Sequence, residues 1–185
     1  MNDLLYNRRT AYIAVLLMVL VSIFILGGND LQRERTRVVD VLRGQNELGI
    51  DVESEAALIR ANSANLLVVA GRYLDSESGY IINIQHILDN TDTGSNFENW
   101  EIMLELVNNV LPYVNELLHV MDNIDVEIRD AEHLTEIEGN IHAALRRIHL
   151  SGYEPLANRF NRQLRNPYTS LIATVRGIRE FLILN

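Results

Sequence analysis

The side chains with the most evident chemical potential are five histidines set among 25 acidic residues. Glu116-Leu117-Leu118-His119 is a Glu-x-x-His step, which puts a carboxylate and an imidazole on one helix face and is the unit of di-iron carboxylate bundles. Such a centre needs two of these steps and two more inward-facing glutamates. Asp130-Ala131-Glu132-His133 is only a weaker echo. Glu116 and His119 therefore stand as weak metal candidates, and neither a metal nor another cofactor is expected. His142 and His149 lie seven apart and can share a helix face, though hydrogen bonding at a surface or between helices is the commoner use of such a pair. Serine, histidine and aspartate occur without a strand–turn–helix elbow to present a nucleophile, and no glycine-rich phosphate loop is present. Absence of cysteine removes disulfides, iron–sulfur clusters, thiolate zinc sites and a thiol nucleophile. Lysine is absent too: all 16 basic residues are arginine, so a Schiff-base amine or phosphate-loop lysine cannot exist. No catalytic residue is assigned, and an enzyme is not expected.

Charge is the next constraint. A formal net charge of −9 disfavours nucleic acid as a partner. Between Tyr73 and Leu145 there are 15 acids against one base, Arg129, which makes the middle of the chain the expected outward docking surface. From Arg146 to Asn185 seven arginines face only Glu154 and Glu180. Arg159, Arg162 and Arg165, with Arg176 and Arg179 beyond them, are the residues expected to meet an acidic partner or anionic lipid headgroups. A solvated face is the ordinary alternative for such a run.

These residues have to be positioned by something, and the element that organises the chain is the uncharged stretch Thr10–Gly28. At about 1.5 Å per residue a helix of that length reaches roughly 28 Å, close to the hydrocarbon thickness of a bilayer. Tyr6 and Tyr12 stand at one end, where amphipathic rings favour the headgroup layer, beside Arg8 and Arg9. Tyr12, Leu17, Leu20 and Phe24 are taken as anchor residues. A buried core helix rarely runs this long without a polar stripe. A signal peptide needs a shorter apolar region and a small-residue exit, which Phe24-Ile25-Leu26-Gly27-Gly28 supplies poorly. The expected layout is a tail at 1–9, a transmembrane helix at 10–28 and a helical domain at 29–185. Arginines at 8 and 9 nearly balance those at 33, 35 and 37 across the span; they hug the apolar edge more closely, which favours an extracytoplasmic domain on a single-pass inner-membrane protein.

Beyond the anchor the pattern is helical throughout. Gly27-Gly28-Asn29-Asp30 is expected to loosen the first helix before Leu31–Leu48 resumes it, and Gly44 and Gly49 mark a kink or turn. The acids of Asp51-Val52-Glu53-Ser54-Glu55 suit a helix N-terminus. Ala57, Leu58, Ala61, Ala64, Leu67 and Val68 then form the expected buried stripe. A short segment over Tyr80–Leu88 leads into a polar loop at Asp89–Asn96. Phe97 to about Arg129 reads as one helix, kinked at Pro112. A fourth helix carries Leu134, Ile137, Ile141, Leu145 and Ile148, is interrupted at Gly152 and Pro155, and ends at Asn166-Pro167. The stretch Tyr168–Leu184 is amphipathic, suited either to cover the core or to lie in the headgroup layer. The predicted fold is all-α, an N-terminal transmembrane helix followed by a long antiparallel four-helix bundle.

Several of these positions also form a family pattern. Tyr153-Glu154, Ala157, Phe160-Asn161, Leu164 and Asn166-Pro167 resemble the paired Tyr-Asn steps and closing Phe-Pro of LemA family proteins, with Ala173 and Gly177 near that family's small residue and glycine. Ile50-Asp51-Val52, Asn65-Leu66-Leu67 and Gly71-Arg72-Tyr73 resemble its Ile-Asp-Val, Asn-Leu and Gly-Tyr stretch, about two residues out of step. Glu154 and Asn166 depart from the pattern, no proline follows Ile59, and Glu138 lies too far from Tyr153 to match the family's glutamate. The resemblance implies a membrane-anchored antiparallel helical bundle of bacterial type and no catalytic residues. Read from the residues alone, Tyr153, Ala157, Phe160 and Leu164 form a core stripe with Asn161 beside it, where one satisfied polar side chain can set register.

The expected role is a non-catalytic, membrane-tethered scaffold or accessory subunit of a larger membrane assembly, with the lipid bilayer and other membrane subunits as partners. A membrane-tethered sensory or ligand-binding bundle is the alternative, and a bundle metalloprotein the remote one.

Overall fold

In the computed structural model, which describes residues 8–90 and 99–184, helix α1 runs from Arg8 to Leu42 without a break. Gly27 and Gly28 do not loosen it, because the backbone ladder continues through them. The helix changes character there instead. No described side chain from Ala11 to Gly27 is buried, whereas Gly28, Leu31, Val38, Val39 and Leu42 are. Those later positions recur at helical spacing, so one continuous rod passes from an all-round apolar surface to a single buried stripe.

Six helices follow: α2 (Val52–Ala70), α3 (Gly79–Asn90), α4 (Asn99–Met121), α5 (Ile128–Leu150), α6 (Tyr153–Leu164) and α7 (Pro167–Arg176). Among the described residues there is no strand, only an isolated bridge between Arg43 and Asp51. The fold is all-α. Packing divides the chain into two compact units, one holding residues up to Arg37 with Arg159–Glu180, the other Val38–Asn158 with the residues from Phe181 onward.

In the second unit α2 is the hub, packed against α3, α4 and α5, while α3 also packs on α4. Asp51 caps α2: its Oδ1 accepts from the amides of Glu53 at 3.0 Å and Ser54 at 3.3 Å, satisfying donors the first turn leaves free. Asn46 holds the preceding turn, its amide nitrogen donating to the carbonyls of Val41 and Ile50 and its oxygen accepting from the amides of Leu48 and Ile50. Gly44 and Gly49 take positive φ there, so the turn expected at these glycines is present. Two ion pairs tie opposite ends of α2 to α5, Glu55 with Arg147 and Arg72 with Asp130, so these helices run antiparallel.

The core face of α2 differs from the one its hydrophobic spacing predicts. Val52, Ala56, Ile59, Ser63, Leu66 and Ala70 are buried, and Ala57, Leu58, Ala61, Ala64 and Val68 are exposed. Polar side chains can occupy the buried face because they return to their own helix: Ser63 Oγ donates to the Ile59 carbonyl at 2.9 Å and Asn62 Nδ2 to that of Leu58 at 2.8 Å. Elsewhere the expected periodicity holds. Leu104, Val107, Val110, Val114, Leu117, Leu118 and Met121 of α4 are buried, as are Leu134, Ile137, Ile141 and Ile148 of α5.

Three boundaries move. Helix α4 continues through Pro112 but stops at Met121, eight residues short of Arg129, where Asn123 Nδ2 takes the His119 carbonyl at 2.7 Å. The interruption expected at Gly152 is present, with φ 77° between α5 and α6, but Pro155 lies inside α6 and does not break it. The last helix ends at Arg176 rather than Leu184: Gly177 sits in the left-handed region and the Ile178 amide returns to the Ala173 carbonyl at 2.9 Å, a Schellman-type stop. Asp89 and Asn90, expected in the polar loop, instead close α3, while the rest of that loop and the start at Phe97 fall on 91–98, outside the described residues.

Beyond Gly177 the chain has no regular structure, yet it is anchored. Phe181 stacks on Trp100 with ring centroids 5.1 Å apart and meets Tyr153 edge-on at 6.4 Å. Tyr153 Oη donates to the Leu182 carbonyl at 2.5 Å, and Asn108 Nδ2 to that of Ile183 at 2.9 Å. Burial, followed by the charges of Glu101 and Glu154, pushes the Tyr153 phenol well above its ordinary range, so it remains a donor.

Candidate functional site

The metal candidates do not converge. Glu116 and His119 both lie on the exposed side of α4, away from the bundle interior where a di-iron centre draws its ligands. Among the described residues no group of three or more histidine and carboxylate side chains is placed to hold a metal ion. His142 sits 3.6 Å from Glu138 on the surface of α5, and His149 Nδ1 lies 2.7 Å from Glu154 Oε1, linking the end of α5 to the first turn of α6. These histidines stitch helix surfaces.

A buried carboxylate does stand out. Asp130, in the first turn of α5, accepts from Tyr73 Oη at 2.7 Å and from the Arg72 guanidinium at 2.8 Å. The same Tyr73 oxygen accepts from the Glu127 amide at 3.2 Å. The Tyr73 hydrogen bond, then Arg72, hold Asp130 below the usual carboxylate range, while Asp130 raises Tyr73. Both Asp130 oxygens and the Tyr73 hydroxyl are engaged within the protein, and the cluster joins the end of α2 to the start of α5. It is a structural clamp.

The face of α2 that the core leaves open forms a groove of about 590 Å³ with α3 and the start of α4. Ala57, Ala61, Ala64 and Val68 line one wall, and Ile81 and Leu88 the other. Arg60 stands at the rim and donates to the Leu88 carbonyl at 3.4 Å, with Asp89 beside it. Small side chains along one helix let another backbone or a flat ligand approach closely. Sequence reasoning found these residues and assigned them to the wrong environment.

The anchor residues Tyr12, Leu17 and Leu20 are exposed and Phe24 is partly so. The helix has a mean hydropathy of 2.6 over its most apolar 18-residue window, only 6% of which is buried. It is long and apolar enough to cross a membrane. None of its described side chains from Ala11 to Gly27 is buried.

Beside that helix lie the predicted arginines. In the first unit α7 approaches α1 at the two glycines: a Cβ on Gly27 would stand 2.9 Å from Ile172 Cδ1, and one on Gly28 would meet the Arg176 guanidinium. Arg176 also reaches Asn29 Oδ1 at 3.4 Å. Arg165 pairs with Glu180 at 3.4 Å, and Arg179 is exposed. Arg159 and Arg162 line a cleft of about 490 Å³ with Gln163, Asn166 and Thr169. Glycine is thus used here for the close approach of a second helix.

These features define a class: an all-α protein with one helix of membrane-spanning length and a helical bundle carrying an open apolar groove. Comparison with family profiles, curated proteins and solved structures returns no match.

Proposed function

We propose that this chain is a non-catalytic, single-pass membrane protein of the plasma (inner) membrane, serving as a scaffold or accessory subunit of a larger membrane assembly. The observation that carries the proposal is the groove between α2 and α3, an apolar, small-residue face that the core of the second unit leaves uncovered. A partner helix laid on Ala57, Ala61 and Ala64 buries that face with close backbone contact. The chain's net charge of −9 selects against anionic partners. Membership of the LemA family, whose resemblance implies the same architecture, is part of this proposal.

The groove also favours the second reading, a membrane-tethered ligand-binding bundle, because its volume falls in the range of small-molecule sites. One experiment separates them. The full chain is extracted in mild detergent and purified beside its Ala61→Trp variant, which fills the groove from an exposed position. A stoichiometric membrane protein that copurifies with the parent and is lost with the variant is the expected result. A chain that purifies alone, and whose melting temperature rises with a small apolar ligand only in the parent, overturns the scaffold in favour of the sensor.

A further inference from the structure

Helix α7 is wrapped in more apolar surface than α1 covers. Ile172 and Ala173 are buried, yet Tyr168, Leu171 and Val175 are 81%, 59% and 71% exposed. At 100° per residue those three project within one narrow arc, flanking Ile172. A ten-residue helix in water would not keep such a stripe open without a use for it.

Its position supplies the use. Helix α7 meets α1 at Gly27, Gly28 and Asn29, just before Asp30, the first charge after the uncharged stretch. Gly28 is also the first buried position of α1 among the residues whose burial is described. If α1 crosses a bilayer, α7 is held at the level where hydrocarbon gives way to headgroups. The cleft of Arg159, Arg162, Gln163, Asn166 and Thr169 belongs to the same unit and opens beside the N-terminal turn of α7. Guanidinium groups bind phosphate oxygens in a fork, and amide and hydroxyl groups complete the coordination.

We propose that this face is an interfacial lipid-binding surface, with Tyr168, Leu171 and Val175 seated at the headgroup–acyl boundary and the Arg159–Arg162 cleft holding the phosphate of an anionic phospholipid. The proposal rests on the membrane-spanning assignment of α1. Both halves follow the physics of interfacial helices: apolar area supplies insertion, and basic side chains add attraction to an anionic leaflet. The helix is too short to bind a membrane alone. Its docking on α1 removes most of the entropic cost, since the anchor already holds it at the surface.

The test uses the lack of cysteine. Single variants Leu171→Cys and Val175→Cys of the full chain carry nitroxide labels in nanodiscs of phosphatidylcholine with phosphatidylglycerol. Val19→Cys reports the span, and Val68→Cys, on α2, reports water. Labels at 171 and 175 are expected to collide more with oxygen and less with a water-soluble nickel chelate than the label at 68. Arg159→Gln with Arg162→Gln, or omission of phosphatidylglycerol, should return them towards water by about fivefold per arginine in the seated-to-lifted equilibrium. If 171 and 175 match 68 while 19 reads lipid, the interfacial surface is wrong and the span stands. Should 19 also read water, both fall. Labels shielded from both reagents mean a covering protein, a second copy of this chain, and overturn the lipid assignment. Seating that is indifferent to phosphatidylglycerol and to the arginines overturns the phosphate cleft.

Discussion

Asp130 shows how a single carboxylate can join two helices and set a pH dependence. Its pKa is lowered by the Tyr73 hydroxyl and then by Arg72. The stability it contributes is therefore complete above the unfolded value, near 3.9, and is lost as pH falls through the lower folded value. Tyr73 is shifted the other way by the same bond, so its contribution is complete below about 10 and fades as pH rises through the raised folded value. Asp130→Asn should lower the denaturation midpoint at pH 7 and flatten the acid limb of stability against pH, as measured by chemical denaturation in detergent across that range. Asp51→Ala, which removes the cap of α2, should cost about 1 kcal/mol in the same denaturation measurement. The two substitutions separate a cross-helix clamp from a local cap.

At the scale of elements, the boundaries that sequence periodicity placed wrongly are those decided by a single backbone conformation. Leu171, Ile172, Val175, Ile178, Phe181 and Leu182 keep a helical rhythm, but Gly177 takes φ 66° and turns residues 178–184 into an anchored tail. Gly177→Ala should cost about 1–2 kcal/mol, because an L side chain is strained in that region. Phe181→Ala should cost about 3–5 kcal/mol by removing a buried ring from Trp100 and Tyr153. Thermal melts of the two variants check both values, and tryptophan emission should shift red only in Phe181→Ala. The core stripe Tyr153, Ala157, Phe160 and Leu164, with Asn161 beside it, was legible because these residues leave a helix no other apolar face; all five are buried. The stripe on α2 was not. Two nearly equivalent apolar faces run along that helix, and only its three neighbours select one.

For the whole molecule, the decisive measurement is where residues 10–28 reside. Carbonate washing of membranes should leave the full chain in the pellet, and removal of residues 1–28 should release the remainder to the supernatant. A single Cys at Leu150, exposed on α5 and outside the groove, treated in intact cells with a membrane-impermeant maleimide, then reports the side of the second unit. Labelling without cell breakage is expected for the extracytoplasmic orientation that the arginine pair at 8 and 9 favours.

Composition and periodicity alone determined that this chain is helical, that its first long segment is long and apolar enough to cross a membrane, and that Tyr153 and Phe160 lie inside. Each of these follows from local burial tendency, which a sequence carries residue by residue. Tertiary structure decided which face of α2 meets the core, that Gly27 and Gly28 serve an approaching helix instead of a hinge, and that Glu116 and His119 point outwards. Those outcomes depend on which elements become neighbours. Contact between segments distant in the chain is a property of the packed whole, and no window of sequence contains it.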